Sequence, residues 1–95
     1  MDSILQKSKY CYITGYCADG LHKHHIFFGN GRRKVSDDNG FWVWLKPEYH
    51  NASKFGVHGM DGHDLDVKLK RECQAEFEKT HTRAEFRALI GKSYL

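Results

Sequence analysis

The chain reads as an α+β protein, a two-stranded hairpin crossed by a short helix and followed by two packing helices. Three observations predict this. His24-His25-Ile26-Phe27-Phe28 continues an apolar run with strand character. Phe41-Trp42-Val43-Trp44-Leu45 is a second run, rich in aromatic and β-branched residues. From Leu65 onward, apolar residues recur at helical spacing. Ninety-five residues suffice for one domain with a modest core. Six Phe, five Tyr and two Trp argue for a folded chain, because disordered segments are poor in such residues.

Residues 1–10 are polar with a little apolar content and read as a short helix or a loose arm. Cys11 to Cys17 suggests a turn or knuckle bent at Gly15, and Ala18-Asp19-Gly20 marks a further turn. The first strand is expected over Leu21 to Phe28, ended by Gly29-Asn30-Gly31. Arg32, Arg33 and Lys34 form a basic run read as a loop, and Asp37-Asp38-Asn39-Gly40 reads as a turn before the second strand. Trp42 and Trp44 share one face of that strand and are expected to pack into the core rather than stack on bases. Pro47, well suited to a first helical turn, starts a helix expected over Pro47 to Lys54.

Gly56, Gly59 and Gly62 break the chain around His58. Leu65, Leu69, Cys73 and Phe77 then form an i, i+4 stripe. Thr82-Arg-Ala-Glu85 has the pattern of a capping box, Phe86, Leu89 and Ile90 supply an apolar face, and Gly91 closes the last helix. No internal repeat or linker divides the domain.

Several function classes drop out early. No apolar run approaches 18 residues, so no membrane span is expected, and the first residues lack the order of a signal peptide. The expected compartment is cytoplasm. Three cysteines do not suggest a disulfide framework. Cys11 and Cys17 are read as buried thiols rather than ligands, and Cys73 as core. Net charge is only +3. Residues 1–60 nevertheless carry eight Lys/Arg against five Asp/Glu, whereas 61–95 carry seven of each. The surplus therefore travels with the histidines, where a phosphate-binding surface would need it.

Those histidines carry the chemistry. There are seven, two of them adjacent on the first strand. Hydrolysing a phosphodiester requires a deprotonated water, a stabilised phosphoryl group and a neutralised leaving oxygen. One divalent cation can serve the last two roles and a neutral imidazole the first. Neighbouring side chains on a regular strand point to opposite faces. One of His24 and His25 can thus hold a metal while the other approaches from the water side, and His50 can complete the metal site from the helix. His22 should share the face of His24, with a more distant or solvent role. His63 and His81 read as surface residues, and Asp37 and Asp38 as turn formers rather than metal ligands.

His24-His25-Ile26, a spacer, and then Val43-Trp-Leu-Lys-Pro-Glu-Tyr-His50-Asn51 resembles the HNH, or ββα-metal, endonuclease family over about residues 11–58. The resemblance implies an HNH hairpin-plus-helix core with additional C-terminal packing helices. It implies His25 as general base, His24 and His50 as metal ligands, and His58 as a further ligand. The family's middle Asn lies nine residues before the last His, which here is Phe41, so Asn39 is the nearest residue to orient the base. Many members hold a structural zinc on two Cys-x-x-Cys pairs. Here five residues separate Cys11 from Cys17, and the second pair would fall at Lys46 and Tyr49, so that zinc site is not expected.

The implied function is metal-dependent nicking or cleavage of DNA, with Arg32, Arg33 and Lys34 contacting phosphates. The implied cofactor is one divalent ion. Imidazole-rich ligation suits zinc, nickel, manganese or cobalt better than magnesium alone. Small stand-alone members are frequent in phage genomes, which implies a phage or prophage origin in a bacterial host, with a homodimer or a phage protein complex as further partners. The rival reading is a non-catalytic, metal-stabilised module that binds nucleic acid or protein on a degenerate HNH frame.

Overall fold

Five short-range signals set the architecture: two β-rich runs, a proline-led turn of helix, an amphipathic stripe and a capping box. The computed structural model describes residues 1–50, 56 and 62–95. Among these, the elements are β1 (His22–His25), α1 (Arg32–Asn39), β2 (Trp42–Leu45), α2 (Pro47–His50), α3 (His63–Phe77) and α4 (Arg83–Ile90). The result is a two-stranded antiparallel sheet with four helices, an α+β arrangement. No helix of the described residues is long and apolar enough to cross a membrane.

The strands pair His22 with Leu45, Lys23 with Trp44, His24 with Val43 and His25 with Trp42. Alternation then sorts the sheet into two faces. His24, Val43 and Leu45 are buried, on the face that also carries His22. Lys23, His25, Trp42 and Trp44 occupy the other. Phe41, Val43 and Leu45 therefore enter the core, and the tryptophans do not. Both indoles are only half-buried, which corrects the expectation that they fill the interior. A two-stranded sheet has one apolar side to cover, and α3 and α4 cover that side, the one with Val43 and Leu45.

The core gathers Ile26, Phe27, Phe41, Val43 and Leu45 against Leu69, Cys73 and Phe77 of α3 and Phe86 and Ile90 of α4. Phe27 meets Phe41 and Phe86 with ring centroids 5.6 Å apart in both cases, edge to face, the arrangement that aromatic quadrupoles favour. The stripe of α3 packs as its spacing predicts. α4 begins with the full capping box between Thr82 and Glu85 and stops at left-handed Gly91.

α1 replaces the expected basic loop and acidic turn. Gly31 precedes it, and left-handed Gly40 ends it by donating its N–H to the Ser36 carbonyl. Asp37-Asp38-Asn39-Gly40 is thus a helix C-terminus rather than a hairpin turn. Ser36 is fully buried; its hydroxyl donates to the Phe27 carbonyl at 2.7 Å and accepts from the Phe27 N–H at 3.1 Å. That clamp takes both backbone groups of Phe27, which is why β1 stops at His25 instead of running on to Phe28.

The free edge of β2 is covered by the N-terminal segment, which forms no helix. The Trp44 N–H donates to Gln6 Oε1 at 2.7 Å, and the Trp44 carbonyl accepts from Tyr12 at 2.9 Å. Ile4 donates to the Gly40 carbonyl at 2.9 Å. Gly40 must be glycine on two counts: its φ is +73°, and an added Cβ would lie 2.2 Å from the Asp2 carbonyl oxygen. Cys11 and Cys73 are buried as expected, but Cys17 is exposed. Of the helix expected over Pro47 to Lys54, residues 51–54 lie outside the described residues.

Candidate functional site

At the end of β1, a cleft of about 220 Å³ is lined by Lys23, His25, Phe28, Gly29, Arg33 and His50. Three elements build it. β1 supplies His25, the last turn of α2 supplies His50, and α1 supplies Arg33. His25 and His50 thus line one cleft although 24 residues separate them in the chain.

His25 is half-buried, and its Nε2 lies 2.9 Å from Asp37 Oδ1 on α1. A carboxylate can only accept, so Nε2 carries the proton in this contact, and in a neutral ring the lone pair then falls on Nδ1. Lys23 Nζ lies 2.9 Å from the same Asp37 oxygen. The Lys23 hydrogen bond, and then that of His25, hold the Asp37 carboxyl below the usual carboxylate range. Asp37 is therefore charged at neutral pH and orients the ring. Asp37-Asp38-Asn39-Gly40 has the composition of a turn, and only the helical course of α1 turns Asp37 toward His25.

Behind the cleft stands a wall of imidazoles. His24 is 1% exposed, and its ring centroid lies 5.1 Å from that of His50. His22 comes closer: its Nδ1 is 3.0 Å from His50 Nδ1. Two nitrogens facing each other at this distance share a proton as N–H···N, or both turn lone pairs toward one cation. Two nitrogens about 2.1 Å from one ion, at close to a right angle, would stand about 3 Å apart. His22 and His50 thus present two imidazole nitrogens to one point, and the ring of His24, expected as a ligand, stands beside that of His50. The alternation of His22 with His24 was the available signal. Among the described residues no three of His, Cys, Asp and Glu are grouped so as to hold a metal ion. His58, expected as a further ligand, lies outside the described residues.

The remaining expectations divide. Of the basic run, only Arg33 lines the cleft. Arg32 is half-buried and donates from Nε to the Ile90 carbonyl at 2.9 Å, tying α1 to the end of α4. Lys34 pairs with Asp38 at 2.7 Å on the helix surface. Both, expected at phosphates, have these partners within the fold. Asn39, expected to orient the base, donates its amide to the Val35 carbonyl at 2.9 Å, and its side chain borders a different cavity, with Phe77 and His81. Two residues past Asp37 on a helix is more than half a turn, so Asn39 faces away from His25.

No family model matches the chain, and no curated protein and no solved structure matches it either.

Proposed function

We propose that this chain is a metal-dependent endonuclease of the HNH kind that hydrolyses phosphodiester bonds in DNA. The observation that carries the reading is the shared cleft, which His25, braced by Asp37, lines together with His50 and Arg33. His25 Nδ1 takes the proton of the attacking water, and Asp37 holds the ring in the required tautomer and stabilises the imidazolium that results. Arg33 pairs with a phosphate oxygen through its planar fork. His50 and His22, with His24 behind them, would hold a divalent ion, which supplies charge stabilisation for the phosphoryl group and the leaving oxygen. Asp37 takes over the role that the family resemblance would have given to Asn39.

A supercoiled-plasmid nicking assay across Mg²⁺, Mn²⁺, Ni²⁺ and Zn²⁺ tests this. Wild-type protein should nick in at least one metal, and His25→Ala should lower the rate by about 10²- to 10⁴-fold, the usual contribution of a general base. Full activity in His25→Ala overturns the assignment. Plasmid binding without nicking in every metal favours the second reading, a non-catalytic binding module on the same frame. The placement of Asn39 away from His25 is the observation on that side.

A further inference from the structure

The outer face of the hairpin carries a row of aromatic rings, each paired with a lysine. Lys23 Nζ sits 4.3 Å from the Trp42 ring centroid, and Lys9 Nζ sits 4.3 Å from that of Trp44. The two indoles meet edge to face, 5.5 Å apart and at 87°. Two residues past Trp44, Lys46 stands 5.3 Å over the ring of Tyr16, which is 67% exposed. Lys7 and Lys9 are exposed and line a cavity of about 340 Å³ walled by both indoles. None of these rings is needed by the core, and none belongs to the His25 cleft.

The geometry points to a binding surface for single-stranded DNA on this face, with bases stacked on Trp44 and Trp42 and phosphates held by Lys7, Lys9 and Lys23. Two perpendicular indoles make a corner rather than a flat shelf. One ring can lie against a base while the other meets its edge. Proteins that bind single strands without sequence preference combine such rings with a basic track along the backbone. An exposed lysine over a ring is a weaker contact than a base stacked on it, so the lysines can yield the ring faces and move to the phosphates. Asp2 borders the cavity at its N-terminal end, which leaves the Lys9 end as the preferred path for the backbone.

The face also runs into the cleft. Lys23 touches the Trp42 ring on one side and Asp37 on the other, and Asp37 holds His25. A strand stacked on the indoles is therefore led toward the proposed base, which would make unpaired or frayed DNA the favoured substrate. Only this link to cleavage rests on the proposed hydrolytic function; the binding stands on the rings and lysines alone.

Tryptophan fluorescence of the full chain, titrated with a (dT)12 oligonucleotide in EDTA, tests the binding without any cleavage. The emission should be quenched, and log K should fall with log salt with a slope near 2, about 0.7 for each of three lysines. Trp44→Ala should weaken binding by about 10- to 100-fold, and Trp44→Phe should keep most of the affinity. Lys9→Gln changes an exposed residue and leaves the fold intact, and it should lower the slope by about 0.7. Absent quenching, an unchanged slope in Lys9→Gln, equal affinity for a duplex of the same length, or equal quenching by poly-glutamate would each overturn the inference. If (dT)12 binds as described but no metal supports nicking, the hydrolytic reading falls and this one stands. Nicking without (dT)12 binding gives the reverse.

Discussion

The two faces of one small sheet differ more than their sequences suggest. Each strand alternates, so the same four-residue pairs supply both sides. The inner face buries Val43 and Leu45 completely and carries His24 with them. The outer face keeps Trp42 and Trp44 half-exposed beside Lys23 and the half-buried His25. Size and apolar character did not decide which side went in. What decided was which side α3 and α4 could cover, and Val, Leu and Phe fill that space without the indole N–H that the core could not satisfy. Trp42 instead donates its indole N–H to the Met1 carbonyl at 3.0 Å, on the outside. The inner face is thus a structural wall and the outer one an available surface, and the candidate cleft opens where the two meet at the end of β1.

Substitutions on the two faces should separate clearly. The largest effect is expected from Phe41→Ala, which empties a fully buried ring site and should cost about 3–5 kcal/mol in urea denaturation. Gly56→Ala comes next. Its Cβ would lie 2.9 Å from the carbonyl carbon and oxygen of His50, so the end of α2 must shift. A loss of about 1–3 kcal/mol is expected, together with loss of the His22–His50 contact in the ring NMR signals. On the outer face, Trp44→Ala should cost only about 1–2 kcal/mol, because the indole is half out of water contact rather than fully so. A larger loss for Trp44→Ala than for Phe41→Ala would break the comparison.

The smallest effect belongs to Asp37→Asn, and its sign follows from pH. The folded-state pKa of Asp37 is depressed, by Lys23 first and His25 second. The pairing therefore contributes stability that is present above the ordinary carboxylate range and is lost as pH falls through the depressed folded value. Wild type should exceed Asp37→Asn slightly in thermal midpoint at neutral pH, with the gap closing in acid. A gap that widens as pH falls would contradict the placement of Asp37.

α4 and α1, each of eight residues, show what the sequence made legible. In α4, Thr82 and Glu85 announce the start, Gly91 the end, and Phe86 and Ile90 the buried side; local chemistry and tertiary packing agree. In α1 the only buried residue is Ser36, a polar one, so no apolar stripe marks the helix. Its stop signal, Asn39-Gly40, is the same residue pair that would close a hairpin. Ser36 is informative only once its hydroxyl is seen on Phe27, a contact between residues nine apart that no periodicity encodes.

The site divides along the same line. His24, His25 and His50 could be singled out because their spacing is local to β1 and α2. Asp37 could not, since its approach to His25 depends on α1 being a helix. His22 was visible on the right face, yet its contact with His50 depends on how α2 crosses the sheet. Of three consecutive basic residues, helical rotation sends Arg33 into the cleft, Arg32 to α4 and Lys34 to Asp38. Composition alone could not tell these three apart.

The proposed site is most directly probed by following the imidazole ring signals by NMR during a titration with substoichiometric manganese, whose paramagnetism broadens nearby nuclei. The rings of His22 and His50 should broaden first and that of His25 next, while His81, which borders a separate cavity with Asn39 and Phe77, stays sharp. Broadening of His81 as early as His50, or of all rings together, would contradict a metal site at the end of β1.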